Sequence, residues 1–245
     1  MPKYLVAAAT YNEMENLPEL VRKIGESLPE ADILVVDDGS ADGTGDWAAK
    51  RAREDLRFFL IERGAKKGLG TAVLEAFRFA VDRKYDYLVN LDADFSHPPE
   101  MIPRLVEVAE REGIDVVIGS RYVRGGKIVG WPLRRKVMSR GINFLARRAL
   151  HLSTKDNSGA FRCYRVETLR RLDLTRVRSR GYSFFEEILF RLKSVGASFR
   201  EIPITFTDRV RGESKINKTE AFRALLLLIS IGFEKGSAEG TKKKG

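Results

Sequence analysis

A chain of 245 residues, 43% hydrophobic and 32% charged, has the size and composition of one large globular α/β domain or two small ones, which excludes a disordered class. Its 44 basic against 34 acidic residues leave a formal charge of +10, which points to an anionic partner (a nucleotide, a phospholipid surface or nucleic acid) or else serves solubility alone. One cysteine, Cys163, excludes an internal disulfide and suits a reducing compartment; with only His97 and His151 beside it, a Cys/His metal cluster is excluded too.

The N-terminal residues run straight into an apolar segment and lack a signal-peptide pattern. Short apolar runs then alternate with helical patterns. Strands are predicted over 4–9, 33–37, 58–62, 87–92 and 116–119, and helices over 17–28, 43–53, 69–83 and 100–112. Asn16 reads as the N-cap of the first helix, with Pro18 in its first turn, and Pro98 and Pro99 open the fourth. The alternation implies βαβ units and a mostly parallel sheet, whose ligands bind at the carboxyl ends of the strands.

The second half is less regular. A basic amphipathic helix is predicted over 133–152, with Val137, Ile142, Phe144, Leu145, Ala149 and Leu150 as its apolar members. A helix over 183–195 and a strand over 199–204 follow, then a strongly apolar helix over 221–233 and a tail over 236–245 whose composition suits disorder. The longest apolar run, 224–233, falls short of the roughly 20 residues that span a bilayer. There is no internal repeat and no inter-domain linker.

Acidic or polar clusters fall at three predicted strand ends. Asp92 and Asp94 stand two residues apart, so both side chains can point to one side of the sheet. Like charges that close are unfavourable unless a cation bridges them or they stay solvated. Their oxygens suit Mg²⁺ or Mn²⁺, although the same pattern occurs in plain acidic turns. After the second strand, Asp38 can accept from a ribose or a base edge, Asp37 is the weaker candidate, and Ser40 or Asp42 reads as a helix cap. After the first, Tyr11 can line a base and Glu13 can hold a sugar hydroxyl. His97 is equally a turn residue or a ligand, and Cys163 reads as a small buried residue.

The motifs in order are Ala-Thr-Tyr-Asn-Glu (9–13), Val-Asp-Asp-Gly-Ser (36–40), Asp42-Gly43-Thr44, Arg63 with Lys67-Gly68-Leu69-Gly70, Asp-Ala-Asp-Phe-Ser-His-Pro-Pro-Glu (92–100) and Gly-Ser-Arg-Tyr-Val (119–123). Ser139-Arg140, Asp-Asn-Ser-Gly-Ala-Phe-Arg (156–162), Gly-Tyr-Ser-Phe (181–184) with Glu187, and Asp-Arg-Val-Arg-Gly-Glu-Ser-Lys (208–215) complete the series. In order and spacing the chain resembles the family 2 glycosyltransferases, and within them the dolichol-phosphate mannose synthase group.

The resemblance implies a single Rossmann-like nucleotide-sugar domain of the GT-A type over 1–217, an apolar membrane-interface helix over 218–234 and a basic tail over 235–245. It implies a GDP-mannose donor and a dolichyl or polyprenyl phosphate acceptor, with inversion to a β-linked product. Ala9, where the family usually has Pro, would line the nucleoside pocket with Tyr11, Glu13, Val36 and Asp38. Asp92, Ala93 and Asp94 would meet the donor diphosphate and its Mg²⁺ or Mn²⁺, with Ser96 where archaeal members carry Gln. Arg121, Arg135, Ser139 and Arg209 match the acceptor-phosphate positions, and Lys215 lies in a loop suited to closing over the diphosphate. Asp94, Arg121 and Arg209 would carry the catalysis. Arg134, Arg135 and Lys136 read equally well as a solvated basic run.

An enzyme using UDP-glucose or another sugar with the same lipid shares these motifs. A nucleic-acid-binding module would leave the strand-end acids unexplained, and a non-catalytic scaffold would not need intact Asp92, Asp94, Arg121 and Arg209, so no nucleic-acid partner is expected. With a lipid acceptor and no spanning segment, the expectation is a peripheral enzyme on the cytoplasmic face of a membrane, held by the helices over 133–152 and 221–233. Oligomeric state is left open.

Overall fold

The apolar runs of the first half are buried on both faces, as strands of a parallel sheet covered by helices must be. In the computed structural model, β1 (Tyr4–Thr10), β2 (Asp32–Asp37), β3 (Phe58–Glu62), β4 (Tyr87–Asp92) and β5 (Val116–Ser120) alternate with α1 (Leu17–Ser27), α2 (Thr44–Glu54), α3 (Leu69–Asp82) and α4 (Ile102–Arg111). After them come β6 (Lys127–Val129), α5 (Leu133–Ala149), β7 (Arg162–Arg165), α6 (Val166–Arg170), α7 (Phe184–Ser194), β8 (Phe199–Pro203) and β9 (Thr205–Thr207). The structure describes residues 1–181 and 183–208; Arg209, Lys215, the helix predicted over 221–233 and the tail lie outside them.

Seven strands form one sheet in the order β3-β2-β1-β4-β7-β5-β8, and β6 pairs with β9 beside it. Every pairing in the large sheet is parallel except the two that β7 makes, with β4 and with β5. Side chains alternate between the sheet's faces. Leu5, Leu34 and Leu88 therefore pack with Phe77 of α3 and Phe184 of α7 on one side, while Val6, Val35 and Val89 pack with Leu20 of α1 and Leu105 of α4 on the other. α3 and α7 approach so closely that a Cβ on Gly70 would lie 2.8 Å from that of Phe184.

Four local expectations change. The helix predicted from 100 begins as a 3₁₀ turn, Pro99–Met101, before α4. The strand predicted over 199–204 breaks at Ile204, where the chain leaves β5 and turns to β6. The basic helix ends at Ala149, not 152. Asn16 sits at the start of α1 but caps nothing with its side chain: its amide donates to Glu13 Oε2 at 2.8 Å. The entrance is held instead by the Glu13 carbonyl, which accepts from the N–H groups of Asn16 and Leu17 at 2.9 and 2.8 Å. Among the described residues no helix is long and apolar enough to cross a membrane.

One core residue conflicts with its surroundings. Glu186 of α7 is 3% exposed, and among the described residues its Oε2 has no hydrogen-bond partner. Burial pushes its carboxyl up from 4.5 to about 7, with Arg162 and Arg121 opposing the rise and Asp156 adding to it. The stability this protonated carboxyl contributes is complete below the unfolded value of 4.5 and is lost as pH rises through about 7. His97 acts oppositely over an overlapping window, because burial pushes it down from 6.5 to about 4. The expected signature is therefore a difference between proteins. Between about pH 4.5 and 7.5, Glu186→Gln should gain on the order of 1–3 kcal/mol relative to wild type in urea unfolding. Parallel pH profiles for the two would refute a buried proton on Glu186.

Candidate active site

Parallel register sets Ala9 beside Val36 of β2 and beside Asp92 of β4, so the ends of three strands open into one place. The loops that leave β1 and β2 are zipped together: Asn12, at φ +58°, donates its N–H to Ser40 Oγ at 2.8 Å and accepts from the Ala41 N–H at 2.9 Å. Asp37 builds the turn. It accepts from Thr10 Oγ1 at 2.8 Å, Ser40 Oγ at 2.6 Å and the N–H groups of Gly39 and Ser40. Ser40 is thus spent on Asp37 and Asn12 and caps no helix, whereas Asp42 does accept from Thr44 N–H at 3.1 Å as α2 begins.

Asp38 faces the other way. Its carboxylate pairs with Arg63 and accepts from the N–H groups of Lys67 and Gly68 at 3.3 and 3.2 Å. Arg63 also donates to Thr71 Oγ1 at 2.6 Å and to the Gly68 carbonyl at 3.1 Å. Tyr11 is exposed, with Lys66 Nζ 4.2 Å from its ring centroid. Glu13 is partly buried, its N–H on Thr44 Oγ1 of α2 at 3.0 Å, and the Val36 side chain is sealed in the core. The predicted nucleoside residues are therefore neighbours, and the oxygens of Asp38 already hold the loop over 63–68.

Past β4 the chain turns sharply, with Phe95 at φ +59°. Asp94 is buried and accepts from the Ser96 N–H at 3.0 Å. His97, also buried, accepts the Asp92 N–H on Nδ1 at 3.1 Å, which puts its proton on Nε2. Burial holds the ring neutral, with a pKa of about 4, so its 3.7 Å approach to Asp92 Oδ2 is no ion pair at neutral pH. The imidazole stacks on Phe161 at 5.3 Å and meets Phe206 edge-on at 5.5 Å. His97 is thus a clasp under the acid pair, its Nδ1 lone pair already used.

Asp92, Asp94 and Ser96 bring only oxygen donors to this turn, the set that hard divalent ions take. No group of three or more His, Cys, Asp or Glu side chains able to hold a metal exists among the described residues. Two carboxylates and a hydroxyl fit an ion such as Mg²⁺ or Mn²⁺ that draws its other ligands from a substrate diphosphate and water.

Arg121, at the end of β5, is 9% exposed and forks onto Asp156: Nε to Oδ2 at 2.7 Å and Nη2 to Oδ1 at 2.6 Å, with its own N–H on Oδ2 at 2.9 Å. Among the described residues nothing accepts from Nη1. Burial alone would raise the Asp156 carboxyl, but the Arg121 charge and hydrogen bonds outweigh it and hold it below the usual carboxylate range. Removing one partner of such a pair costs about 3–5 kcal/mol, because the other charge stays buried. Glu201 of β8 and Asn143 of α5 grip the loop that carries Asp156. Glu201 accepts from the N–H groups of Lys155 and Asp156, and Asn143 from those of Asn157 and Ser158.

Arg135 is no solvated bystander. It lies 4.0 Å from the centroid of Trp131 and donates to both Asp208 oxygens at 3.0 and 3.1 Å, while Trp131 Nε1 donates to Asp208 Oδ1 at 3.1 Å. Arg121 lies 5.7 Å from the same Trp131 ring. Ser139, one turn after Arg135, accepts from Tyr122 Oη at 2.7 Å. Three of the four predicted acceptor-phosphate residues therefore share one neighbourhood; the fourth, Arg209, lies outside the described residues. Trp131, Asp156, Asp208 and Tyr122 were not assigned roles from sequence. Their signal was adjacency, an acid or an aromatic inside or beside each basic motif. Cys163 is a buried strand residue whose thiol burial pushes up, as its small-residue reading requires.

The Glycosyl transferase family 2 profile matches residues 6–173. The chain is similar to an undecaprenyl-phosphate mannosyltransferase of Micrococcus luteus, 45% identical over 215 residues that cover 88% of either chain. It is also similar to a polyprenol monophosphomannose synthase of Mycolicibacterium smegmatis, 42% identical over 229 residues, 93% of this chain and 86% of the other. Among solved structures, glucosyl-3-phosphoglycerate synthase of Mycobacterium tuberculosis, in complex with Mn²⁺, UDP and glucosyl-3-phosphoglycerate, has a similar fold: TM-score 0.62 at 18% identity, covering 93% of this chain and 77% of that one. The motif order, the profile match over more than half of the chain and two relatives above 40% identity agree: this chain belongs to glycosyltransferase family 2.

Proposed function

We propose that this glycosyltransferase moves mannose from GDP-mannose to a polyprenyl or dolichyl phosphate, with inversion to the β-linked product, as a peripheral enzyme on the cytoplasmic face of a membrane. The observation that carries the reading is a shared wall. Phe206 touches His97, the clasp of the acid pair, at 5.5 Å and Arg121, the centre of the basic cluster, at 5.3 Å. One aromatic ring thus stands between the clasp of a carboxylate pair suited to a cation and a cluster of arginines, which supports a site that joins two anions. Both relatives, by name, join a mannose to a polyprenyl phosphate.

The chemistry follows from the charges. The nucleophile is a phosphate oxygen, already ionised near neutral pH, so no strong general base is needed. A divalent ion held by Asp92 and Asp94, with Ser96 beside them, would neutralise the donor diphosphate as it leaves. Arg121 and Arg135, oriented beforehand by Asp156 and Asp208, would hold the lipid phosphate, with Ser139 and, by resemblance, Arg209 beside them and Lys215 closing on the diphosphate. A UDP-sugar donor is the second reading, favoured by the UDP in the structural neighbour.

α5 supports a membrane surface. Leu133, Val137 and Phe144 share one face at 75%, 60% and 57% exposure, among the exposed Arg134, Arg140, Arg147 and Arg148. Such a helix lies in the headgroup plane, each basic residue adding about 1 kcal/mol near anionic lipid.

Thermal-shift titration with GDP, UDP and their mannose and glucose conjugates, with and without Mn²⁺, tests the donor. GDP and GDP-mannose should stabilise the protein with Mn²⁺ present; preference for UDP would overturn mannose from GDP-mannose, and indifference to every nucleotide would sink the reading. Asp94→Ala should keep its far-ultraviolet circular dichroism and lose at least about tenfold in Mn²⁺-dependent donor affinity. Co-sedimentation with anionic vesicles should fall about tenfold or more when Leu133, Val137 and Phe144 become Ser, since each loses apolar area to bury; unchanged binding would remove α5 from the membrane.

A further inference from the structure

We infer that Glu187 is a positioning residue for the donor nucleotide, acting through a strap of backbone over 178–180. This rests on the nucleotide-sugar reading of the pocket around Asp38. Glu187 lies in the first turns of α7, fully buried. Its carboxylate accepts from the Arg178 N–H at 3.1 Å and the Ser179 N–H at 2.7 Å, and from Arg191 Nε at 2.7 Å. Carboxylates with such charge-assisted partners hold a segment more firmly than neutral acceptors do. The strap so held presents the Arg180 carbonyl to the first turn of α3, where the Gly70 N–H donates to it at 2.9 Å.

The same carbonyl presses on the pocket loop. Gly68 has φ +101°, and a Cβ there would stand 2.6 Å from Arg180 O, so loop and strap touch with no room for a side chain. The loop over 64–68 is in turn what the nucleoside residues lean on. Its Lys67 and Gly68 N–H groups fill Asp38, its Lys66 covers Tyr11, and a Cβ on Gly39 would meet Ala65 N at 3.0 Å. Two anchors therefore define the loop, Asp38 with Arg63 on one side and the strap on the other. Glu187 anchors the second without being among the residues that line the pocket. Among the described residues nothing in this chain of contacts reaches the arginine cluster, so loosening it should cost donor binding and leave the chemical step intact.

The test is Glu187→Gln in the full chain, which keeps the shape, one acceptor oxygen and most of the packing. Three readouts are taken: amide hydrogen exchange, affinity for GDP with Mn²⁺ by calorimetry, and steady-state kinetics. Amides at 178–180 and at 67–70 should exchange faster than in wild type. The Kd for GDP and the KM for the donor should rise about tenfold, with kcat within about threefold of wild type. Unaltered exchange at 67–70 or an unaltered Kd would overturn the inference, as would a kcat that falls as far as kcat/KM. If Glu187→Gln does not fold, Glu187→Asp keeps the charge beside Arg191 but shortens the reach to the strap, and the same changes are expected of it. A wild-type protein that binds neither GDP nor UDP sinks the donor reading instead, and the exchange data then decide the strap alone.

Discussion

The register of β1 between β2 and β4 is the constraint on which the site depends. Because both pairings are parallel, Ala9 has Val36 on one side and Asp92 on the other, and the chain leaves all three strands at the same edge. A slip of one residue would turn each strand-end side chain to the opposite face and bury a carboxylate in an apolar layer. The Leu and Val residues that alternate along these strands forbid the slip, since both faces are already filled. Two of the exits also hold non-glycine residues at positive φ, Asn12 after β1 and Phe95 after β4. Left-handed backbone is tolerable for Asn and costs roughly 1–2 kcal/mol for Phe, so the core bears a local strain that aims the acid turn.

Charges placed at that edge must find partners, and the partners set what each charge can do. Asp37 is consumed by its own turn, Asp38 by the loop over 63–68, and Asp156 by Arg121. A buried pair such as Arg121–Asp156 is weak as a source of stability, because desolvation offsets most of the attraction. Its consequence is geometric. With Nε and Nη2 fixed and the supporting loop gripped by Asn143 and Glu201, the guanidinium cannot reorient when an anion arrives. Arg135 is fixed in the same way by Asp208 and the face of Trp131. Cations oriented beforehand stabilise developing charge without first paying to reorganise.

Periodicity made the five leading strands and four leading helices legible, because each buries a continuous or one-sided apolar pattern. β7 escaped for a physical reason: Arg162-Cys163-Tyr164-Arg165 is short and carries charge at both ends, and its central place accommodates the buried Arg162, which donates to the carbonyls of Phe185 and Asn157 inside the core. The acid pair, Asp38 and the arginines were legible as residue types at strand ends and in spaced motifs. Their partners within the fold were not. Whether Asp37 or Asp38 faces the loop over 63–68 and which acid holds which arginine depend on contacts between residues 25 to 73 apart, which local pattern does not encode; His97 accepts from Asp92 only five residues away, but the rings that seat it, Phe161 and Phe206, are distant in sequence.

α5 shows the same limit in a form that bears on function. Its sequence announces an amphipathic helix without saying which face looks inward. On an ordinary surface helix the apolar stripe faces the core. Here much of the inward face is polar: Asn143 is buried against the Asp156 loop, Ser139 takes the Tyr122 hydroxyl, and Arg135 meets Asp208. Leu133, Val137, Phe144 and Leu145 are left outside. The inversion follows from the site, which needs polar groups from this helix to hold the loop behind Arg121, and that demand turns the remaining apolar side chains outward. Water is a poor neighbour for such a face and a lipid surface a good one. A membrane reading of α5 and an acceptor-phosphate reading of Arg121 are then two consequences of one helix orientation: whatever docks on the outer face lies one helix diameter, about 10 Å, from the residues that steady the arginine.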